Sequence, residues 1–344
     1  RWSRARAGRC GPASSPPGSA RDREPELAAI GYTLSCEEFG PRALTAQAVR
    51  AERAGFEFAG ISDHFHPWVD KQGNSPFVWG VLGAISQATE RLQLITGVTC
   101  PTTRIHPAIV AQAAATAASQ LPGRFTLGVG TGENLNEHIL GDAWPPVARR
   151  QERLEEAIEV IRKLWEGGLT SHYGKHFTVE NARVYTLPEE LPPIVVAVAG
   201  EKSVALAARA GDGLIGTAPE AESIDQFRAE GGEGPAYGQL HVCWAPAEDE
   251  ARKTALEWWP NGGISGSHFL ELPLPSHFEE GTELVDEETI AEAIVCGPDP
   301  EKHLEAIREY VDAGYDHVYV HQVGPDQDGF FDFYERSVLP ALRA

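Results

Sequence analysis

Methionine is absent from the chain, even at position 1, which points either to a first residue that is not the native start or to an edited sequence. Cysteine is scarce: Cys10, Cys36, Cys100, Cys243 and Cys296 are odd in number, far apart and include no CxxC pair. That pattern argues against a disulfide framework or a zinc knuckle and fits a reducing, cytoplasmic compartment. Positive charge is under-represented, with 29 Lys+Arg against 50 Asp+Glu and a formal net charge of -21. A surface this acidic repels phosphate backbones and anionic headgroups, which argues against nucleic-acid and membrane partners. No apolar run approaches the ~20 residues that cross a bilayer, so a soluble protein is expected. What the chain does have is 344 residues at 42% hydrophobic, enough for one large domain or two ordinary ones.

Residues 1–27 are rich in Arg, Ser, Pro and Gly and show no period, which reads as a disordered arm. The arm lacks the apolar stretch and cleavage site of a secretory signal, and its arginines are not paired as a twin-Arg signal requires. A translated upstream segment is the plainer reading.

From about residue 28 short apolar runs alternate with amphipathic ones. The apolar runs are AIGYTL (29–34), FAGISD (58–63), LQLITGVTCP (92–101), FTLGVGTG (125–132), IVVAVAG (194–200), DGLIGTA (212–218), YGQLHVCWA (237–245) and HVYVHQV (317–323). Near-continuous apolar strands separated by helices imply parallel pairing with both faces covered. Eight such units predict an α/β fold, a closed (β/α)8 TIM barrel over 28–344, rather than an open doubly wound sheet. Two insertions break the rhythm, at about 168–193 with a hairpin-like alternation and at about 260–290, Pro/Gly-rich and loop-like. Such insertions sit on loops and can cover an active-site face.

In a barrel the reactive residues follow the strands. The second unit ends in ISDHFHPW, bringing Asp63, His64, His66 and Trp68 to one loop. No converging carboxylate-plus-His set at ligand spacing accompanies them, so no metal is expected. One histidine as general base, with Trp68 as an apolar wall, stands against a plain surface loop anchored by a buried Trp. The fourth unit ends in GVGTGEN, where Thr131, Gly132 and Glu133 precede Asn136. Its glycines can bring backbone N–H groups close to a ligand, but there is no Walker Lys, and the motif comes too late to open a Rossmann unit. The fifth unit opens a helix with Ala199, Gly200, Glu201, Lys202 and Ser203, either an anion cradle or an ordinary capped helix.

The strings SDHFHPW, LPGRFTLGVG, GVGTGENLNE, HPAIVAQAAATAA and AARAGDGLI resemble the luciferase-like, deazaflavin-dependent oxidoreductases, on the branch containing the coenzyme F420-dependent glucose-6-phosphate dehydrogenases. The resemblance runs from about residue 29 to the C-terminus. It implies a barrel, a homodimer, and coenzyme F420 at the C-terminal mouth of the strands. It further implies that Asp63 contacts the ring system, His64 removes the proton of an alcohol, Trp68 flanks the reacting centre and Glu133 is the acid serving the reduced ring. Asn136, Thr131 and Gly132 would hold the ring or its side chain, and Gly97 and Val98 would back it from a bulge after the third strand. Family members often carry Ser where Gly97 stands, so no side-chain contact is implied there. Glu37 matches a further active-site carboxylate, and Ala199, Gly200, Lys202 and Ser203 fall where the cofactor phosphate is bound. An imidazole, with an unperturbed pKa of about 6.5, suits the base role. A carboxyl group in an apolar pocket suits the acid role.

One feature of the branch is missing. Its sugar-phosphate site uses basic residues, whereas here Glu220 stands where a lysine is expected, and no Lys or Arg occurs between Lys253 and Lys302. A phosphate dianion needs charge-assisted donors. An alcohol, or its carbonyl product, other than hexose 6-phosphate is therefore the expected substrate, with Phe269, Leu270, Leu272, Leu274, Phe278, Trp258 and Trp259 able to line an apolar pocket or simply to pack the insertion. His321 and Gln322 could add to that pocket. The alternatives are a sugar-phosphate dehydrogenase, an FMN-dependent luciferase-like monooxygenase, and a deazaflavin-binding protein without turnover.

Overall fold

The computed structural model describes residues 28–264 and 266–343, so the arm expected over 1–27 lies outside the described residues. The strands are β1 (Ala29–Leu34), β2 (Phe58–Ile61), β3 (Gln93–Thr96), β4 (Phe125–Val129), β5 (Thr170–Tyr173), β6 (Thr178–Ala182), β7 (Ile194–Ala197), β8 (Leu214–Gly216), β9 (Ala236–Cys243), β10 (Val295–Cys296) and β11 (His317–Gln322). β1, β2, β3, β4, β7, β8, β9 and β11 pair in that cyclic order, all parallel, and the β8–β9 and β11–β1 pairings close a (β/α)8 barrel. All eight expected runs become barrel strands, and a helix follows each, because a parallel strand covered on both faces must be apolar throughout.

Period-two alternation divides the side chains between two cores. Outward residues such as Leu34, Ile61, Leu94, Leu127, Val196 and Val242 pack against the helices. Inward, Phe58, Ile95, Val195, Ile215, Tyr237 and Tyr319 plug the barrel. Glycine makes room for the plug: a Cβ on Gly31 would lie 2.6 Å from the Phe58 ring, and one on Gly60 2.8 Å from that of Tyr319. The plug closes the barrel below its C-terminal mouth.

The two insertions behave differently. β5 and β6 form the expected hairpin, which packs against the helix Val147–Trp165. Glu156 of that helix accepts backbone N–H groups from His176 and Phe177, clasping the hairpin turn. The second insertion, read as loop, contains the helices Pro275–Gly281 and Glu287–Ala293. Pro275 at the first helical position and the Asp286 side chain capping Thr289 N at 2.9 Å start them. This insertion packs over the loop that follows β2, with Phe278 buried beside Val69, Leu135 and Trp68.

No helix among the described residues is long and apolar enough to cross a membrane. Cys36, Cys100, Cys243 and Cys296 are buried free thiols.

Candidate functional site

β1 and β2 are neighbours, so the turns after them meet, and residues 27 positions apart come together. Glu37 is 2% exposed, and its Oε1 lies 2.9 Å from His64 Nδ1 as an ion-pair contact. Its Oε2 accepts from Ser62 Oγ at 2.7 Å and Ser35 Oγ at 3.0 Å. Burial would raise this carboxyl, but His64 and the Ser62 hydroxyl outweigh it and hold it at about 2. Burial would lower the His64 imidazole, and the charge of Glu37 reverses that and raises it. With Nδ1 turned to Glu37, Nε2 has no hydrogen-bond partner among the described residues. Trp68 stands edge-on to the imidazole at 5.0 Å between centroids, and Ser75 Oγ donates to the His64 carbonyl at 2.7 Å. The result is an imidazole whose Nδ1 is in ion-pair contact with Glu37 and whose Nε2 is unpartnered, beside an aromatic wall.

The other expected residues sit around this pair in three ways. Asp63 is buried, with Oδ1 taken by Arg104 Nη2 at 2.9 Å and Oδ2 by Thr99 Oγ1 at 2.7 Å. Its carboxylate is therefore engaged inside the protein. Asn136 is likewise buried: its Oδ1 accepts from Phe65 N at 2.8 Å and His66 N at 3.1 Å, tying the β2 loop to the β4 loop. Its Nδ2 reaches Glu133 Oε2 at 3.4 Å, so Glu133, half-buried at the end of β4, belongs to the same cluster.

Small residues form a separate arc. Gly97 and Val98, joined by a cis peptide, are half-buried after β3. Gly130 and Gly132 keep the β4 loop low, since a Cβ on Gly130 would lie 2.6 Å from Val98 Cγ2 and one on Gly132 2.7 Å from Glu137 Cγ. Thr131 stands between them. Ala199 and Gly200 are exposed after β7, and a Cβ on Gly200, whose φ is +147°, would meet nothing within 4 Å.

The helix Glu201–Ala210 begins there. Ser203 Oγ accepts from Ala199 N at 2.9 Å and donates to Gly200 O at 2.7 Å, so its hydroxyl is used in capping. The backbone N–H groups of Glu201 and Lys202 have no partner among the described residues, and Lys202 is exposed.

Sequence reasoning missed four groups. Arg104 bridges Asp63 to Glu137, its backbone N–H donating to Glu137 Oε2 at 2.7 Å. Burial pushes the Glu137 carboxyl up to about 7 in spite of Arg104. Glu38, directly after Glu37, accepts from Gly324 N at 2.8 Å and lies 2.7 Å from His321 Nε2. His241, the Cα partner of His321, faces the same layer. A histidine at inward parity inside an otherwise apolar strand was the available signal for the last pair.

Glu220, standing where a lysine is expected, accepts from Ser223 Oγ at 3.0 Å. Two acidic residues of the second insertion have structural partners: Glu271 pairs with Arg150 at 3.1 Å, and Glu279 accepts from Asp70 N at 3.0 Å. Phe269 and Phe278 face Trp68, and Trp259 lies against His321 and His241, whereas Leu274 is exposed. Among the described residues no three His, Cys, Asp or Glu side chains gather to hold a metal.

A model of the luciferase-like monooxygenase family matches residues 21–317. An F420-dependent glucose-6-phosphate dehydrogenase of Nocardia farcinica is 36% identical over 329 residues, covering 92% of this chain and 98% of that protein. Among solved structures, an F420-dependent secondary alcohol dehydrogenase in complex with an F420-acetone adduct superposes with a TM-score of 0.85 at 31% identity, covering 93% of this chain and 100% of the other. The coenzyme F420-dependent tetrahydromethanopterin reductase of Methanopyrus kandleri shares the fold, with a TM-score of 0.75 at 22% identity over 92% of this chain and 100% of the other.

Proposed function

The chain belongs to the luciferase-like family, and from that premise we propose that it is an F420-dependent oxidoreductase that moves a hydride between an unphosphorylated alcohol, or its carbonyl product, and the deazaflavin. The observation that carries this reading is the buried Glu37–His64 pair with its free Nε2 beside Trp68. The residues present fit the cofactor. The Gly97–Val98, Gly130–Gly132 and Ala199–Gly200 arc leaves open space for a flat ring, and Thr131 lies on that arc. The unbonded N–H groups of Glu201 and Lys202, with the Lys202 side chain, suit a phosphate.

When bound, the deazaflavin supplies the hydride acceptor or donor. His64 Nε2 takes the hydroxyl proton of the alcohol. Glu37 keeps Nδ1–H turned away from the substrate and stabilises the imidazolium that forms, an orienting role familiar from acid–base pairs. Glu133, held by Asn136, is the carboxyl group that holds or releases the second proton. Asp63 fixes Arg104 beneath the ring site, and Ser203 keeps the helix start in shape for the phosphate. The reading takes residues 28–344 as one domain and the chain as a homodimer, the latter testable by light scattering.

A second reading, a glucose-6-phosphate dehydrogenase, has in its favour the name of the 36% identical relative. Against it stands the absence of Lys and Arg between Lys253 and Lys302. Purified protein titrated with F420 and with FMN, then followed at the deazaflavin absorbance with a panel of alcohols and glucose 6-phosphate, separates the two. Binding of F420 and turnover of alcohols is expected; FMN binding without F420 binding would sink the proposal, and rapid turnover of glucose 6-phosphate would favour the second reading. His64→Ala should lower kcat by about 10²–10⁴-fold, the usual worth of a general base, while the Kd for F420 changes little. Full activity in that variant would show that another group is the base.

A further inference from the structure

The barrel interior holds a second imidazole system that the reading above does not use. His241 of β9 and His321 of β11 are Cα partners at inward parity, one inward step above the paired Gln239 and Tyr319. Their Nδ1 atoms lie 2.9 Å apart, and His321 Nε2 lies 2.7 Å from Glu38 Oε2. The remaining oxygen of Glu38 is taken by Gly324 N–H at 2.8 Å.

Hydrogen-bond valence then sets the tautomers. A carboxylate only accepts, so His321 Nε2 carries a proton. Where His321 is neutral, its Nδ1 offers a lone pair, and His241 Nδ1–H donates to it. His241 Nε2 is left unprotonated, and it has no hydrogen-bond partner among the described residues.

His241 is half-buried, whereas His321 is 1% exposed, so His241 is the member of the row that opens to the mouth. Trp259 packs against both rings, with centroids 5.6 Å from His241 and 4.5 Å from His321. Trp259 shares a packed cluster with Trp68, the residue beside His64. The two histidine systems thus flank one aromatic wall.

We propose that His241 Nε2 accepts a hydrogen bond from a second hydroxyl of the substrate, so that the favoured substrate is an uncharged polyol and not a simple mono-alcohol. The inference rests on the alcohol reading above and names the substrate class for it. Burial alone already pulls the His241 imidazole below its ordinary value, so it stays neutral at working pH. So weak a base serves as an acceptor rather than as a proton-abstracting group, which leaves that task to His64. An uncharged hydroxyl also suits a mouth that repels phosphate.

Two measurements test the proposal. First, ¹⁵N NMR of histidine-labelled protein should show His241 with a pyridine-type Nε2. That signal should move on titration with propane-1,2-diol and stay in place with 2-propanol at the same concentration. Second, the ratio of kcat/KM for propane-1,2-diol to that for 2-propanol should fall about tenfold in His241→Leu, mainly through KM, as expected for one lost hydrogen bond of about 1.4 kcal/mol. His241→Gln, which keeps an acceptor, should recover part of the ratio. Should His241→Leu fail to fold, Glu38→Gln, which frees His321 without touching substrate, should change the His241 ¹⁵N pattern and lower the same ratio. An Nε2–H tautomer, or an unchanged ratio in every folded variant, overturns the proposal. If no alcohol is turned over, the parent reading fails by itself, and the titration still decides: a moving Nε2 signal sustains the anchor, and a fixed one removes it.

Discussion

Buried away from water, Glu37 stays ionised because His64, Ser62 and Ser35 surround its carboxylate. The same charge raises His64, and this fixes the sign of a pH effect. A general base must be unprotonated, so kcat/KM for alcohol oxidation should fall as pH drops through a value above 6.5. Glu37→Gln removes the raising charge and leaves the lowering effect of burial, so the acid limb should move to lower pH. The variant should also lose about tenfold or more in kcat, because Nδ1 is no longer oriented. A pH–rate profile of the two proteins checks both, and an acid limb that does not move would assign it to a different group. Glu137 is pushed up to about 7 by burial, but its Oε2 accepts from the Arg104 backbone N–H at 2.7 Å. The strand-end reading brought His64 forward as one of two candidate bases, but Glu37 came through resemblance alone, since nothing in a 27-residue spacing shows that two turns meet. Glu38, Arg104 and Glu137 escaped it for the same reason: their partners are set by which strand ends adjoin.

Strands and helices were far more legible than side-chain partners. Each barrel strand is buried on both faces, so its apolar run survives in the sequence, and each helix that follows carries an apolar stripe. The second insertion was not legible as helix because Pro, Gly and short length hide the period, and its helices exist by packing Phe278 under the β2 loop. Where strands must approach closely, the register is enforced by glycine. Thr96 Oγ1 accepts from Gly128 N at 2.9 Å and donates to Gly128 O at 2.8 Å, locking β3 to β4. A Cβ at Gly128 would lie 1.9 Å from Thr96 O, a backbone atom that cannot swing aside. Gly128→Ala should therefore cost about 3 kcal/mol or more, at the upper end of overpacking effects. Urea unfolding should show it as a lower midpoint with an unchanged slope. A midpoint within error of the parent protein would mean that the β3–β4 seam has slack that its hydrogen bonds do not suggest.

Charge distribution acts over the entire protein. The first 27 residues hold six Arg against three acidic residues, so the barrel is more negative than the -21 of the full chain. Some of that charge is spent on structure, in Glu271 with Arg150, Glu279 with Asp70 N and Asp286 at a helix start. The remainder gives the whole barrel a negative field that an anionic cofactor must approach, with Lys202 and two backbone N–H groups as the proposed local attraction. The two effects have different ranges. At about 10 mM salt the screening length is ~30 Å and the field of the whole barrel reaches an approaching anion; at about 150 mM it is ~8 Å and only the contacts at the helix start remain. Association of F420 should therefore speed up as salt rises between these values, the reverse of an electrostatically steered encounter. Lys202→Ala should act mostly on the dissociation rate, because it removes a contact and scarcely alters the far field. Stopped-flow deazaflavin fluorescence at several salt concentrations measures both rates. Association that slows with salt would mean that the field at the mouth is positive, and the argument that acidity excludes phosphorylated substrates would fall with it.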